Sequence, residues 1–441
     1  MKLRPRLLVD KLRTSLWLVP MGLVLSMAAA AHLLLRLDQR LQLDLPLMAG
    51  AGIAGARGMF QAVAGSMITL AGLVFSMTLV VLSQAASQYT SRVMRNFLGD
   101  RVNQVVLGVF LGIYAYCLMV LRGLGDDGAP VPVLTVLAGM AFALAGVVFL
   151  IYFIHHVARS LRVENLVATI QDDTLPVIDR LYPEAAGTGP AAAAGAGGRW
   201  ATPGVPAVPA TTSGYIQDID ADCLAEVACA LDAAIEVPFV PGAFVVEGEA
   251  LVRIHGAARP DPEQQGRIRQ AFTCGRSRSI QQDPAFGLRQ LVDIAMRALS
   301  PGVNDTTTAV LVLDRLAVLI RRLGQRGMPS PHREVDGVVR LVLARPGFED
   351  YLGLAFDQIR QWAADNPAVL GRLLDVLAGL LGVVTDPERR ALLHEHGRRV
   401  MAAAERAIKE TCDLDFLRTR HARLAAAGAP LSPSGARPGQ A

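Results

Sequence analysis

Hydroxyl side chains recur along a stretch of the chain that holds no charged residue between Arg57 and Arg92. They lie three, seven, seven and four residues apart, at Ser66, Thr69, Ser76, Ser83 and Ser87. At about 100° per residue, this spacing places them on one face of a helix. The stretch is longer than the roughly 20 apolar residues that cross a bilayer, so the sequence predicts a membrane helix with one polar face.

In a membrane, a face that carries hydroxyl groups has to meet protein or water, and the sequence leaves both interpretations open. Small hydroxyl residues form helix–helix seams, because they let backbones approach closely and share weak hydrogen bonds. The alternative is that this face lines a passive pore or cavity in an oligomer. A coupled transporter is disfavoured, since the apolar spans contain no Asp, Glu, Lys or Arg of the kind that relays ions or protons.

A second group of polar residues surrounds a turn in the second half of the chain. Pro301 and Gly302 suit the two central positions of a type II turn, and either Asn304 or Asp305 then caps a new helix. Free N–H groups at a helix N-terminus attract anions. The sequence therefore predicts a candidate site for a small anionic ligand, formed by Arg289, Arg297, Ser300, Asn304, Asp305 and Thr306. The alternative is a capped joint between two helices with ordinary surface charges.

Motifs for other chemistry are missing from the sequence. His394 and His396 are two residues apart, which splays them on a helix, and the five cysteines include no Cys-x-x-Cys pair. The chain has no Walker A loop and no dinucleotide-binding glycine fingerprint. Residues 241–254 resemble half of a lipoyl or biotinyl motif, but no Met-Lys attachment turn follows them. We therefore expect no catalytic site, no metal and no cofactor, and a net charge of +4 is too small to indicate nucleic-acid binding.

The elements that must position these residues begin with a transmembrane domain over residues 1–160. Four apolar spans are predicted, at about 15–35, 60–88, 102–121 and 131–157. Arg and Lys concentrate before the first span, between the second and third, and after the fourth, which predicts that both termini face the cytoplasm. The first span has a second interpretation as a cleaved signal peptide, with small residues at Ala28–Ala31, although its apolar run continues to Leu35.

The remainder of the chain is predicted to be cytoplasmic. A helical extension covers 161–184, a flexible Gly/Ala/Pro linker 185–214, a small mixed β module 215–257, a helical domain 258–425 and a disordered tail 426–441. Asp220, Asn366 and Asp386 are expected to cap helices, and Asp293 to pair with Arg297. The predicted fold is mainly α, with a four-span helical membrane domain followed by a cytoplasmic α+β domain that combines a β-hairpin module and a helical bundle.

Several runs of residues together resemble a known family. They are Gly65–Leu79, Asn103–Gly108 and Tyr152–His156 in the membrane half, and residues 286–298 leading into 300–305. The chain is similar to a large, uncharacterised bacterial family of predicted inner-membrane proteins, classed as a domain of unknown function. The resemblance covers nearly the whole chain apart from the linker. It implies an inner-membrane location and the same two-part layout, and it supplies no activity and no catalytic residues.

The sequence favours a polytopic inner-membrane protein that forms a homo-oligomeric passive channel, with a cytoplasmic domain that gates or assembles it. The alternative is a membrane-tethered scaffold or ligand sensor without transport activity. The expected partners are the lipid bilayer, further copies of the chain and a small anionic ligand on the cytoplasmic side. An enzyme is the weakest of the three classes, because no motif pairs a nucleophile with a base.

Overall fold

The computed structural model describes residues 17–41, 52–88, 101–125, 131–160, 162–184, 206–256 and 259–427, without the side chains of 84–88 and 160. The chain divides into two compact units, Met1–Asn165 and Leu166–Ala441. The expected linker as far as residue 205 and the expected tail from residue 428 lie outside the described residues. The mainly helical class is confirmed, with long apolar helices first and a domain of helices and small sheets after them.

Four helices in the described part of the first unit are long and apolar enough to cross a membrane, which confirms the prediction of four apolar helices. They are α1 (Leu18–Leu41), α2 (Gly52–Gln88), α3 (Arg101–Gly123) and α4 (Val133–Ser160). α2 begins before the predicted start at residue 60, and its extra turns include Arg57. Nη2 of Arg57 donates to the carbonyl oxygen of Gly125 at 3.0 Å, so this charge is accommodated within the helix and does not end it.

α3 is the helix around which the first unit is built, because it packs against α1, α2 and α4. Its completely buried side chains include Phe110, Ile113, Tyr116 and Val120. Lipid is as apolar as the helices, so close packing holds such a bundle together. At Gly108 the backbone of α1 lies so near that a Cβ atom would be 2.7 Å from Leu23 Cδ1 and 2.9 Å from Pro20 Cα.

A carboxylate on α1 caps the N-terminus of α4. The two oxygens of Asp38 accept hydrogen bonds from the N–H groups of Leu134 and Thr135, at 2.9 Å each, and from Thr135 Oγ1 at 2.6 Å. The hydroxyl of Tyr116 on α3 donates to the carbonyl oxygen of Thr135 at 2.8 Å. Polar groups within a bilayer have to be satisfied by the protein, and these bonds also fix the position of α4 against its neighbours.

The second unit contains helices and two small sheets. Its helices are α5 (Val163–Leu181, which starts just before the boundary), α6 (Ala221–Ala230), α7 (Pro262–Gln270), α8 (Pro284–Ala298), α9 (Thr306–Gln325), α10 (Phe348–Trp362), α11 (Pro367–Leu381), α12 (Pro387–Ala407) and α13 (Thr411–Ala427). Its strands are β1 (Ala207–Pro209), β2 (Gly214–Ile219), β3 (Ala234–Val237), β4 (Phe244–Val245), β5 (Ala250–His255), β6 (Phe272–Gly275), β7 (His332–Val335) and β8 (Val338–Leu343). The predicted caps Asp220, Asn366 and Asp386 are confirmed, since each side chain accepts from the backbone N–H three residues further on.

The strands pair across long distances in the sequence. One sheet has the order β1-β5-β3-β8-β7 and the other the order β4-β2-β6. β3 and β8 run parallel, and the other neighbouring strands are antiparallel. The expected single hairpin is therefore corrected: β4 pairs with β2, whereas β5 lies between β1 and β3. Pro238 and Pro241 lack the N–H donors that a longer strand before β4 would need.

Strand pairing also places two boundaries differently from the prediction. β1 lies inside the segment expected to be linker up to residue 214, because its Val208 is buried in the core and pairs with Val252. The β module continues past residue 257, since β6 pairs with β2 and β8 pairs with β3. The apolar face of α6 packs into the same core, so the sheets and this helix fold as one body.

The predicted helical extension over 161–184 is a packed part of the second unit. In α5, Oδ1 of Asp179 lies 2.5 Å from Arg322 Nε and 2.8 Å from Arg326 Nη2. The hydrogen bond from Arg322 lowers the pKa of Asp179, and the charges of the two guanidinium groups add to this effect. The helix runs through Pro176 without a break.

We predict that Gly108→Ala destabilises the first unit by about 1–3 kcal/mol, because the added methyl group would overlap α1. The measurement is thermal unfolding of the full chain in detergent, in a variant whose other cysteines are changed to serine. The reaction of the buried Cys117 with a maleimide dye reports the unfolding. Gly22→Ala on α1 is the matched control, since nothing lies within 4 Å of its added Cβ. Equal unfolding temperatures for the two variants would contradict this packing.

Candidate functional site

The hydroxyl residues singled out in the sequence lie on the exposed face of α2. Ser66, Thr69, Ser76 and Ser83 are all exposed, while the side chain of Ser87 lies outside the described ones. The structure thus brings the described four together on one surface, as the spacing predicts. In the part of the first unit that the structure describes, no helix covers this surface, so it is not a seam between two of the described helices of this unit.

The opposite face of α2 is the buried one. Phe60, Met67 and Val74 are at most 4% exposed and belong to the core of the first unit. At 100° per residue, Val74 lies about 160° around the helix from Ser76. One side of α2 therefore contacts the bundle, and the side that carries the hydroxyl groups points away from it.

The hydroxyl groups differ in how they are satisfied. Ser66 Oγ donates to the carbonyl oxygen of Ala62 at 2.9 Å, and Thr69 Oγ1 donates to that of Gly65 at 2.8 Å. Such bonds to the preceding turn let a hydroxyl sit in an apolar medium at low cost. Ser76 and Ser83 make no side-chain hydrogen bond within the described residues, so their hydroxyls are available to water or to another chain.

The sequence analysis missed the glycines that alternate with these hydroxyl residues. Gly58, Gly65 and Gly72 are seven residues apart and exposed, and nothing lies within 4 Å of a Cβ added at any of them. Together with the hydroxyls they form a strip, here called the α2 stripe: Gly58, Ala62, Gly65, Thr69, Gly72, Ser76 and Ser83. Exposed Leu79 and Val80 lie between its last two members. Steps of four and three residues up to Ser76 are those of a close-packed helix seam. The seven-residue repeat of glycine was the signal that would have revealed it.

The turn between α8 and α9 is built differently from the sequence prediction. A type II turn requires a positive φ at Gly302, and Gly302 does not have one, so the prediction of this turn type is wrong. The N–H of Val303 donates to the carbonyl oxygen of Ser300 at 2.9 Å. Asn304 takes the left-handed conformation, with φ +48°. Asp305 caps α9, accepting from the N–H of Thr308 at 3.0 Å and from its hydroxyl at 2.6 Å. These hydrogen bonds from Thr308 lower the pKa of Asp305.

The arginines predicted for the anion site take part in contacts within the protein. Nε of Arg289 lies 2.8 Å from Asp293 Oδ1, and its Nη1 donates to Gln358 Oε1 at 2.8 Å. Arg289 thus pairs with the buried carboxylate of Asp293 from four residues away on the N-terminal side, while the expected pair of Asp293 with Arg297 stays a prediction. Both arginines lie on α8, ahead of the turn.

The remaining residues of the predicted anion site hold the turn together. Ser300 Oγ donates to the carbonyl oxygen of Arg297 at 2.7 Å, and Thr306 Oγ1 accepts from Asn366 Nδ2 at 2.9 Å. The Asp305 carboxylate already occupies free N–H groups of α9 that an anion would use. The geometry is that of a capped joint, and ligand binding at this turn stays a prediction.

His394 and His396 lie on α12 and do not converge. His396 is buried, with Nδ1 3.8 Å from Asp357 Oδ1, and burial lowers its pKa in spite of that carboxylate. Burial and the nearby Arg390 likewise lower the pKa of His394. Among the described residues there is no group of three His, Cys, Asp or Glu side chains that would hold a metal ion.

Comparison with known proteins places this two-part chain among membrane proteins without an assigned activity. The family model described as "Predicted membrane protein (DUF2254)" matches residues 13–379. The chain is 34% identical to each of two uncharacterised proteins, Rv1290c of Mycobacterium tuberculosis and Mb1321c of Mycobacterium bovis, over 425 residues. The aligned residues cover 93% of this chain and 80% of each relative. No solved structure matches the chain. The similarity extends over both units.

We predict that Asp305→Ala lowers the free energy of unfolding of the second unit by about 0.5–2 kcal/mol near pH 7, because α9 loses its N-cap. Asp305→Asn is the control, since asparagine caps about as well without a charge. Because the pKa of Asp305 is lower in the folded chain than in the unfolded chain, its carboxylate stabilises the fold fully above the ordinary carboxyl pKa of about 3.9. It is lost as the pH falls through the lower value of the folded state. Denaturant unfolding across this pH range measures both effects, and an alanine variant as stable as the parent would contradict the cap.

Proposed function

Since this chain belongs to the DUF2254 family of predicted membrane proteins, we propose that it works as a homo-oligomer whose copies meet at the α2 stripe and enclose a narrow passive pore. The observation that carries the proposal is the division of α2 into two faces. Its buried face contacts the bundle. The opposite face holds a strip of small and hydroxyl residues, with exposed Leu79 and Val80 near its C-terminal end, that no helix in the described part of the first unit covers.

The composition of the α2 stripe favours a second copy as its partner over lipid. Glycines at Gly58, Gly65 and Gly72 leave room for the backbone of another helix, and the hydroxyls of Ser76 and Ser83, which follow them, can donate across the interface. Lipid-facing surfaces have no need of small residues, and the exposed face of α4 instead carries Leu144, Val148 and Ile151. A repeat of three and four residues is self-complementary, because the same strip on a copy provides matching gaps.

A pore at this axis would be lined by the hydroxyls of Ser76 and Ser83 and by the exposed side chains of Leu79 and Val80 between them, without charges. Ser76 and Ser83 lie towards the C-terminal end of α2 and keep hydroxyls that have no hydrogen-bond partner within the described residues. A narrow passage of this kind conducts small polar solutes passively, because it offers polar contacts but no ionisable group for coupling. The proposal assigns no catalytic role to the chain.

The sequence also supports a particular membrane and a particular orientation of the chain, which we include in the proposal. The distribution of Arg and Lys around the spans favours an inner membrane with both termini in the cytoplasm. The second unit would then lie in the cytoplasm and would hold the copies together or gate the pore. The runner-up, a membrane-tethered sensor without transport, is supported by a separate cavity in the second unit that is described below.

We predict that Gly65→Leu reduces the fraction of the chain that is oligomeric, because a bulky side chain at the α2 stripe would keep the copies apart. The measurement is the mass of the full chain in nanodiscs or mild detergent. Gly22→Leu is the matched control, because that α1 glycine is equally exposed and nothing lies within 4 Å of its added Cβ. A monomeric parent chain, or equal dissociation of both variants, would refute the interface.

We also predict that Ser76→Leu and Ser83→Leu each reduce the flux of potassium or glycerol through proteoliposomes severalfold, because an apolar constriction dewets. Leu144→Ala on the exposed face of α4 serves as the control and should leave flux unchanged. If the parent chain forms oligomers yet passes no tested ion or neutral solute, the copies meet at a packing seam and the pore is excluded.

A further inference from the structure

The second unit contains a cavity of about 400 Å³ that the sequence did not predict. Its walls come from the end of α5, the junction of β2 with α6, the loops 240–243 and 278–283, the start of α8, the end of β8 with residues 344–346, and α10. Most of the lining is apolar, with a few charged and hydroxyl groups among it. A mostly apolar cavity with a small number of convergent polar groups is the usual form of a small-molecule site.

The charged groups of this cavity leave one positive charge without a counterion. Asp283 is buried and lies 2.7 Å from Arg278 Nη2, so these two neutralise each other. Arg278 also lies over the ring of Phe286, 5.3 Å from its centroid. Arg345 is the third charged group of the lining, and it is exposed to solvent on one side. It has no ion pair or hydrogen bond to its side chain among the described residues.

Two buried tyrosines add a free hydroxyl proton to the lining. The hydroxyl oxygens of Tyr182 and Tyr351 are 2.6 Å apart, and the two residues are 5% and 1% exposed. Only one proton can lie between two hydroxyl oxygens, so the other points elsewhere. Neither hydroxyl has a second hydrogen-bond partner in the part of the chain that the structure describes. A buried donor without an acceptor is unfavourable, and a ligand oxygen that accepts from it would remove this cost.

A glycine lets the loop 240–243 lie close to Arg278 and Asp283 in the wall of the cavity. Gly242 has φ +90°, a conformation that favours glycine, and a Cβ there would collide with Asp283 and come within 2.8 Å of Arg278 Nε. The loop can therefore lie directly against the ion pair. A cavity formed in this way needs little rearrangement to accept a ligand.

The geometry points to this cavity as a binding site for a small organic monoanion, a carboxylate with an apolar body. Its carboxylate would pair with the Arg345 guanidinium and accept the free tyrosine proton, and its apolar part would contact Leu181, Ile219, Val240 and Leu343. One unbalanced positive charge suits a monocarboxylate better than phosphate, whose second charge would find no counterion. This inference is independent of the proposed pore and holds whether or not the chain conducts.

The experiment titrates benzoate and octanoate into the full chain in nanodiscs, by isothermal titration calorimetry and ligand-observed NMR, with empty nanodiscs as background. At least one acid should bind once per chain, and the neutral analogues benzamide and octanamide should bind at least about tenfold more weakly. Arg345→Gln should weaken binding by about tenfold or more, and Tyr351→Phe severalfold. Arg333→Gln is the matched control, because that arginine pairs with Asp222 and does not line the cavity.

Three results would overturn the site. The first is the absence of saturable binding by both acids up to about 10 mM, where even a weak small-molecule site would fill. The second is binding that Arg345→Gln and Arg333→Gln change equally. The third is saturable binding of inorganic phosphate in place of the acids, with the same loss on Arg345→Gln, which would assign the cavity to a different anion.

Discussion

The packing of three helices on α3 is the constraint on which the membrane unit depends. α1, α2 and α4 all contact it, and glycines such as Gly108 set how near they come. Each outer helix packs one face against α3, so the opposite face of that helix does not contact α3. For α4 that face carries large apolar residues, which suit lipid, whereas for α2 it carries a strip of glycine, serine and threonine beside the exposed Leu73, Leu79 and Val80. The α2 stripe is therefore a consequence of how the bundle is packed as much as of the sequence of α2.

Hydrogen-bond satisfaction in an apolar medium explains the other polar groups of this unit. Asp38 meets the N-terminal N–H groups of α4, and Tyr116 meets the carbonyl oxygen of Thr135. Ser66 and Thr69 bond to their own helix. Against that background, the free hydroxyls of the α2 stripe are the exception, and polar groups without a partner in a membrane call for a partner outside the chain or for water. The proposed oligomer supplies both.

Local sequence signals predicted a large part of the fold. Spans follow from apolar length, and an Asn or Asp before proline locates the starts of α11 and α12, because these signals act within a few residues. Pairings between distant segments were not predictable: β3 lies beside β8 about a hundred residues away, and Arg345 reaches Tyr182 only in the folded chain. The contact of Arg289 with Gln358, sixty-nine residues away, likewise depended on the packing of α8 against α10. The stripe was half predicted, since its hydroxyls were recognised and its glycines were not.

Cross-linking through Ser76 tests the central claim, that copies meet at the α2 stripe, most directly. In a chain whose five native cysteines are replaced, Ser76→Cys should form disulfide-linked dimers when native membranes are oxidised, because a disulfide requires Cα atoms within about 7 Å. Leu144→Cys, on the exposed face of α4, should not form them. Absence of the cross-link at Ser76, or an equal yield at Leu144, would contradict the account.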